Sequence, residues 1–599
     1  MTEPLLNPRD IAFQLYEVVD AESLTARPRF ADYTRETFDA VLDTARGIAT
    51  EHFAPHQKRN DTEEPRFENG GAVLIPDVKA AFAVYAESGL LAATHDTAIG
   101  GMQLPHTIAT VAIAHFEAAN IGTASYPLLT TGAANLIAVF GSPEQKERFL
   151  APMLSGKFTG TMALTEPEAG SSLSDILTTA TPNGAGAYNI TGTKMWISGG
   201  DHEIAENIVH LVLARIAGAP AGVKGISLFI VPKRLVGDDG AVGALNNVKL
   251  AGLIHKMGWR GTTSCILNFG EAGPTVGYLV GEPHKGLMYM FHMMNEARIG
   301  VGRAAMAMSY RAYLYSLAYA HTRRQGRAPG ERNPGRPPVP IIEHPDVRRM
   351  LLMQKATVEG ALSLIIECAR LVDEQETAPD EAARTRAKRL LDVLTPVAKS
   401  WPSSAGQDAI SNAMQVLGGY GYAREYGVEQ LYRDNRLNQI HEGTNGIQAI
   451  DLLGRKVMQE NGASFTALVD CIRETIAGTS LDVGELSEAL RAGVVRMVET
   501  TQLLVRAAAE GDPALALANA SVYLDLVSRT VVAWLWLRQA DTAARALARG
   551  ASDADLAFYR GKLQAARYFF RWELTKTVTD GELLRRLDAT TYEMANDWF

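Results

Sequence analysis

The feature that most constrains this 599-residue chain is a double change in the spacing of its apolar residues. Up to about residue 158 they recur at three and four, as in TFDAVLDTARGIATEHFAPH and IATVAIAHFEAAN, which is the stripe of an amphipathic helix. From about residue 159 the pattern changes to short runs rich in β-branched and aromatic residues: TGTMALTE, AYNITGTKMWIS, NIVHLVLARI, GISLFIVPK and TSCILNFG. Gly, Asn, Asp and Pro separate these runs, which predicts a mostly antiparallel β domain ending near residue 275. After about residue 285 the helical spacing returns in long blocks with short connections, the pattern of a bundle. The segment GRAPGERNPGRPPVP at 326–340 is expected to be an exposed loop between two of those blocks. Single cores stop growing at ~250–300 residues, so several domains are expected. The fold class is α+β: an N-terminal helical domain over 1–158, a central β domain over 159–278, a helical bundle over 279–460 and an additional helical domain over 461–599.

A net charge of −9 provides no broad cationic field for nucleic acid or anionic lipid, so a phosphate-bearing ligand has to be held by local groups. Cys265, Cys368 and Cys471 are far apart in sequence and include no CxxC pair; they read as reduced core residues, and no metal set is expected. The opening MTEPLLNPRD has the plan of neither a signal nor a transit peptide, which makes the cytoplasm the expected location. Asn120, Gly122, Pro127 and Gly132 interrupt the charge-free stretch 118–143, and Arg529 and Arg538 bound the apolar VVAWLWL run. No membrane-spanning helix is expected.

Three constellations carry possible chemistry. MALTEPEAGSS (162–172) leads from a strand into a turn whose amides and hydroxyls suit a flat cofactor or a phosphate; read on spacing alone, it is a surface turn. TGTKMWISGG (191–200) sets Trp196 on a strand, where a large aromatic ordinarily packs into the core. MQVLGGYGY (414–422) lacks the strand–turn–helix setting of a dinucleotide fingerprint. It is followed by RDNRLNQIHEGTNGIQ, in which Asn445 and Gln448 look like a helix-capping pair and Glu442 falls on the loop just before the helix. A glutamate there is either a free surface group or a base raised by burial beside a ligand.

In order and separation, TEP.AGS, KMWIS, QVLGGYGY and RD…IHEGTNGIQ resemble the acyl-CoA dehydrogenase family, over roughly residues 40–456. The extra length, the Pro-rich insertion and the helical tail are similar to its larger branch, which includes broad-chain bacterial enzymes and 3-methylmercaptopropionyl-CoA dehydrogenases. The resemblance implies a four-helix C-terminal bundle and FAD held between it and the β domain. It implies that Met162, Leu164 and Thr165 meet the flavin, that Trp196 and Ser198 flank its ring, and that Ser171 meets a phosphate or the acyl-CoA. Arg323, Gln415, Gly418 and Gly419 would reach the FAD of a neighbouring subunit, with Thr444 doing likewise beside the base. Gly443 and Arg298 would meet substrate, although a single arginine such as Arg298 or Arg327 also reads as solvated charge. Glu442 matches the catalytic base, which takes the α-proton while the β-hydrogen leaves as hydride to flavin N5, giving a trans-2-enoyl-CoA.

The chain departs from the family pattern at His441, where Tyr is usual, at Ser172, where an acid is usual, and at Gly446 and Gly326. Some relatives take their base from the position of Ala297; Glu296 is one residue off and about 100° round a helix, so Glu442 is the expected base. ASYPLLTT (124–131) aligns with the region that closes the acyl pocket in relatives, with Tyr126 able to shorten it. The implied partners are acyl-CoA, an electron-transfer flavoprotein and a second copy of the chain, with no nucleic acid and no integral membrane association. An oxidase passing electrons to oxygen and a non-catalytic CoA- or nucleic-acid-binding relative are the alternatives. The mixed charges of the tail, Glu499, Glu510, Asp512, Asp525, Asp541 and Asp553 among arginines, point to a structural or dimer-forming role.

Overall fold

The computed structural model of the protein describes residues 4–599, apart from residue 185 and the side chains of residues 292–294. The chain divides into two compact units, Glu36–Pro105 with Ala112–Gly300, and Met1–Arg35 with His106–Val111 and Val301–Phe599.

Among the elements of the unit containing residues 112–300 are helices α1 (Arg35–Ile48), α2 (Pro76–Glu87) and most of α3 (His106–Phe140). In α1 the stripe Phe38, Leu42 and Ala45 is the face that is buried. The interruptions expected in α3 are fewer than the sequence suggests. The helix runs through Gly122 and Pro127 and leaves helical geometry only at Asn120 (φ −164°, ψ 91°). The side chain of Asn120 satisfies a group freed by the kink, Oδ1 accepting from the Thr123 amide (3.3 Å), while Nδ2 donates to the Phe53 carbonyl of a neighbouring segment (3.2 Å). Past the end of α3, Ser142 and Gln145 form a capping box that starts the next helical turn at Pro143.

Eight strands follow: β1 (Phe158–Ala163), β2 (Thr179–Pro182), β3 (Tyr188–Ser198), β4 (Asn207–Ile216), β5 (Ile226–Pro232), β6 (Val248–Leu253), β7 (Ser264–Phe269) and β8 (Val276–Leu279). They form one sheet in the order β6-β7-β3-β8-β5-β4-β1, with β2 paired to β3 and β4. Only β1 with β4 and β2 with β4 run parallel, so the sheet is mostly antiparallel, as expected. Both faces of β4 are covered, which is why it reads as a continuous apolar run. Val209, Leu211 and Leu213 pack into one core with Ala133, Leu136 and Ile137 of α3, while Val212 and Ala214 face a second core with Phe229 and Leu267.

This unit also buries four histidines, His56, His115, His202 and His210, whose pKa values burial lowers. His210 Nδ1 pairs with Thr161 Oγ1 (2.8 Å) and His202 Nε2 with Thr159 Oγ1 (3.1 Å), while His115 lies inside α3. Burial lowers His202 and His210 to about 3 and His115 to about 4, from an ordinary value of 6.5. Between those values the unfolded chain binds more protons than the folded one, so stability falls as the pH drops below 6.5. At pH 5 each of these last three histidines is expected to cost ~2 kcal/mol. Thermal melting from pH 7 to pH 5 checks this: His210→Asn should flatten the fall, and an unchanged slope would count against the assignment.

The other unit holds the greater part of α4 (Gly286–Thr322), then α5 (Pro345–Thr377), α6 (Glu381–Leu417), α7 (Val428–Arg436) and α8 (Asn445–Asp451). It continues through α9 (Gln459–Gly478), α10 (Gly484–Glu510), α11 (Ala520–Ala548), α12 (Asp553–Tyr568) and α13 (Thr577–Arg585). The segment 326–340 between α4 and α5 is mostly exposed, as its composition predicts. Helix α11 is long and apolar enough to cross a membrane, but 78% of its most apolar window is buried in protein. Trp536 on α11 donates to the Ala356 carbonyl (3.0 Å), and its ring lies where a Cβ on Gly360 would stand 2.9 Å away. The helix is therefore part of a packed protein core.

At the centre of this unit Lys562 of α12 is fully buried. Its ammonium donates to Asp10, to Glu359 (2.9 Å) and to Gln539 (3.0 Å). Lys355 also pairs with Glu359, and Tyr310 donates to the second oxygen of Asp10 (2.8 Å). Two carboxylates and two ammonium groups thus tie residues of the N-terminal segment, α5 and the tail together.

Candidate active site

In the unit that carries the sheet, the TEP…KMW segments are stitched to one another by a buried ion pair. Glu166 accepts from the amides of Leu177 (2.6 Å) and Thr178 (3.0 Å), from Thr178 Oγ1 (2.6 Å) and from Lys194 Nζ (2.8 Å). Lys194 also donates to the Leu164 carbonyl (2.9 Å), and the Met195 amide donates to the Thr165 carbonyl (2.9 Å). Burial lowers the Lys194 ammonium to about 8, with Glu166 opposing the shift; burial raises the Glu166 carboxyl but Lys194 outweighs it, so both groups stay charged near neutral pH.

Trp196 is not the core residue its type suggests. Its indole is 54% exposed and its backbone is left-handed (φ 63°). The cause is a bulge: Cys265 pairs with Ile197 and Leu267 with Lys194, so Ile266 alone opposes Met195 and Trp196. The extra residue turns Trp196 outward while Lys194 and Ile197 stay buried. Met162 and Leu164 are half-buried against the core, Thr165 and Ser198 are half-buried, and Ser171 is exposed. Arg298 on α4 is buried, which corrects the reading of a solvated charge. Glu296 is exposed and accepts from Asn135 Nδ2 (2.6 Å).

In the other unit, Arg323 is exposed just beyond α4, with Nη2 donating to Gln325 Oε1 (2.9 Å). Gln415 is exposed on the last turn of α6, and Gly418 follows in a conformation that favours glycine (φ 61°, ψ −135°). Tyr420 in that turn packs edge-on against Tyr319, one turn before Arg323 on α4, and so draws the glycine turn and Arg323 to one surface. A Cβ on Gly418 or Gly419 would meet nothing, so the turn presents open backbone.

The loop after α7 carries Glu442, half-buried and left-handed (φ 54°), followed by Gly443 (φ 80°). The cap of α8 is Thr444, whose Oγ1 accepts from the Ile447 amide (3.3 Å), and not the expected Asn445–Gln448 pair. Asn445 instead accepts from Lys399 Nζ (3.0 Å) and donates to Ser404 Oγ (2.8 Å). Gln448 Nε2 donates to the carbonyls of Glu442 (3.1 Å) and Gly443 (3.4 Å). His441 pairs with Asn438 Oδ1 (3.1 Å); desolvation, with Lys399 adding, lowers its pKa to about 3 and keeps it neutral.

Family models match the chain throughout: "Acyl-CoA dehydrogenase, N-terminal domain" at 35–157, "middle domain" at 161–272, "C-terminal domain" at 284–458, and "Acetyl-CoA dehydrogenase C-terminal like" at 468–595. The 3-methylmercaptopropionyl-CoA dehydrogenase of Ruegeria pomeroyi is 36% identical over 567 residues, 94% of each chain. The chain belongs to the acyl-CoA dehydrogenase family. A butyryl-CoA dehydrogenase of Syntrophomonas wolfei is 34% identical over 94% of each chain, and the broad-specificity linear acyl-CoA dehydrogenase of Mycobacterium tuberculosis 32% over 98% of each. Among solved structures, the acyl-CoA dehydrogenase of Bacillus anthracis complexed with FAD covers 94% of this chain and 92% of its own at a TM-score of 0.74 and 21% identity, a likeness of fold.

Sequence reasoning singled out the segments of this dehydrogenase but missed the groups that hold them, chiefly the Glu166–Lys194 pair and Lys399. A lysine within the otherwise apolar and β-branched strand TGTKMWIS was the available signal, since such a residue is buried only when paired.

Proposed function

We propose that this acyl-CoA dehydrogenase removes the α-proton of an acyl-CoA thioester with Glu442 while the β-hydrogen passes to bound FAD, giving a trans-2-enoyl-CoA. The observation that carries the reading is Glu442 itself, in IHEGTNGIQ, held half-buried in a left-handed conformation that a glutamate adopts only under constraint. FAD supplies the two-electron acceptor that no side chain provides.

The residues present fit that cofactor. The outward indole of Trp196, on a strand joined to the 162–165 segment by the Met195–Thr165 hydrogen bond, offers with Met162, Leu164, Thr165 and Ser198 a flat, partly apolar surface to a ring system. The open backbone at Gly418 and Gly419, with Arg323 and Gln415, suits phosphate and adenosine, in our proposal those of a second subunit's FAD in a homodimer. Ser171, Arg298 and Gly443 are proposed to contact the acyl-CoA, with Thr444 beside the base. Electrons are proposed to leave to an electron-transfer flavoprotein, and the domain limits are proposed at 158, 278 and 460.

The names of the relatives point to short or linear acyl chains as substrates. Anaerobic mixing with a panel that includes butyryl-CoA and 3-methylmercaptopropionyl-CoA, followed by visible flavin absorbance, is expected to bleach the cofactor and rank the panel. Protein purified without flavin would overturn the cofactor reading, and rapid peroxide release in air would point to an oxidase.

Tyr126 is buried, with its hydroxyl donating to the Gly261 carbonyl (3.2 Å) and accepting from the Thr263 amide (3.0 Å). Tyr126→Ala is expected to shift preference toward longer chains, at a stability cost of ~3–5 kcal/mol. Unchanged relative rates across the chain-length series would sink the pocket assignment.

A further inference from the structure

We infer that Gln448 is a positioning residue for the base: it clamps the left-handed backbone of Glu442 and Gly443 and so fixes the direction of the Glu442 carboxylate. The inference rests on the reading of Glu442 as the base. Two consecutive residues with φ of 54° and 80° make a sharp turn that a residue bearing a Cβ does not hold unaided. Gln448, fully buried on α8, donates from a single amide nitrogen to both carbonyls of that turn. The clamp is tight, since a Cβ on Gly443 would stand 2.8 Å from that nitrogen. It is also anchored, because Asn445 at the start of α8 is bonded on one side to Lys399 and on the other to Ser404, both on α6. The bonds are to backbone, so they are independent of the state of the carboxylate and act on its placement alone.

Two substitutions test this from opposite sides. Gln448→Met keeps the length of the side chain and removes both donors; Gly443→Ala keeps the donors and pushes a methyl into them. Each is expected to lower the rate of flavin reduction at saturating acyl-CoA on the order of 10²-fold, the scale of a misplaced catalytic group, and Gln448→Met, at a residue not proposed to contact the acyl-CoA, to move KM by less than about threefold. The acid limb of the rate's pH profile should move as well, which loss of packing alone would not cause. In a Glu442→Gln background neither change should cost anything further. If Glu442→Gln is inert while both variants match the wild type, the clamp is wrong and the base stands. If Glu442→Gln itself turns over normally, the base reading fails and the clamp fails with it. Should Gln448→Met not fold, Gly443→Ala decides: a wild-type rate and pH profile overturn the inference, and the loss described supports it.

Discussion

Glu442→Gln is expected to lower the rate of flavin reduction by acyl-CoA about 10²–10⁴-fold, the usual contribution of a positioned general base. The substitution keeps the shape of the side chain and removes its ability to take a proton. The hydrogen bonds that Gln448 makes to this loop go to backbone carbonyls, so they survive the substitution. Flavin content and melting temperature should therefore match the wild type while stopped-flow reduction fails. A rate within about tenfold of the wild type would transfer the search to Glu296, whose carboxylate is exposed and accepts from Asn135.

Lys562→Met should destabilise the unit containing the tail by ~3–5 kcal/mol, because it leaves two buried carboxylates short of a partner. Asp10 and Glu359 are both inaccessible to water, and only Lys355 of the two ammonium groups would remain. That cost is a large part of the ~5–15 kcal/mol that ordinarily separates folded from unfolded protein. The Lys562 ammonium also lies 5.5 Å from the centroid of the Trp536 ring, so tryptophan fluorescence during urea unfolding reports on the site. A lower midpoint is expected, partly recovered when Asp10 is also replaced by Leu and the unpaired charge removed. A midpoint equal to the wild type's would refute the account of the cluster.

Periodicity made the order of helices, sheet and helices legible, since both helical and strand spacings follow directly from which face meets a core. It failed where one residue's backbone departs from its neighbours'. Nothing in the spacing of KMWIS announces a bulge, because a bulge depends on the partner strand: Ile266 has to face two residues for Trp196 to turn out. In the same way, Asn120 was recognisable as a breaker but Gly122 and Pro127 were not distinguishable from it by type, and only Asn120 has side-chain bonds to replace the ladder. The segments of the candidate site were legible as motifs. Their mutual supports, such as Lys194 with Glu166, were not, since an ion pair spanning 28 positions leaves no local pattern.

The Asp10–Lys562 contact sets a timetable for synthesis. The two residues are 552 positions apart, which at ~5–20 residues per second means on the order of 30–110 s between their emergence from the ribosome. For that interval the carboxylate of Asp10 and the apolar Phe13 near it lack Lys562, Ala543 and Tyr559 of the tail, which they meet in the finished protein. The segment around Asp10 is thus made well before the helix that encloses it, and a growing chain stalled before α12 would display it to chaperones and proteases.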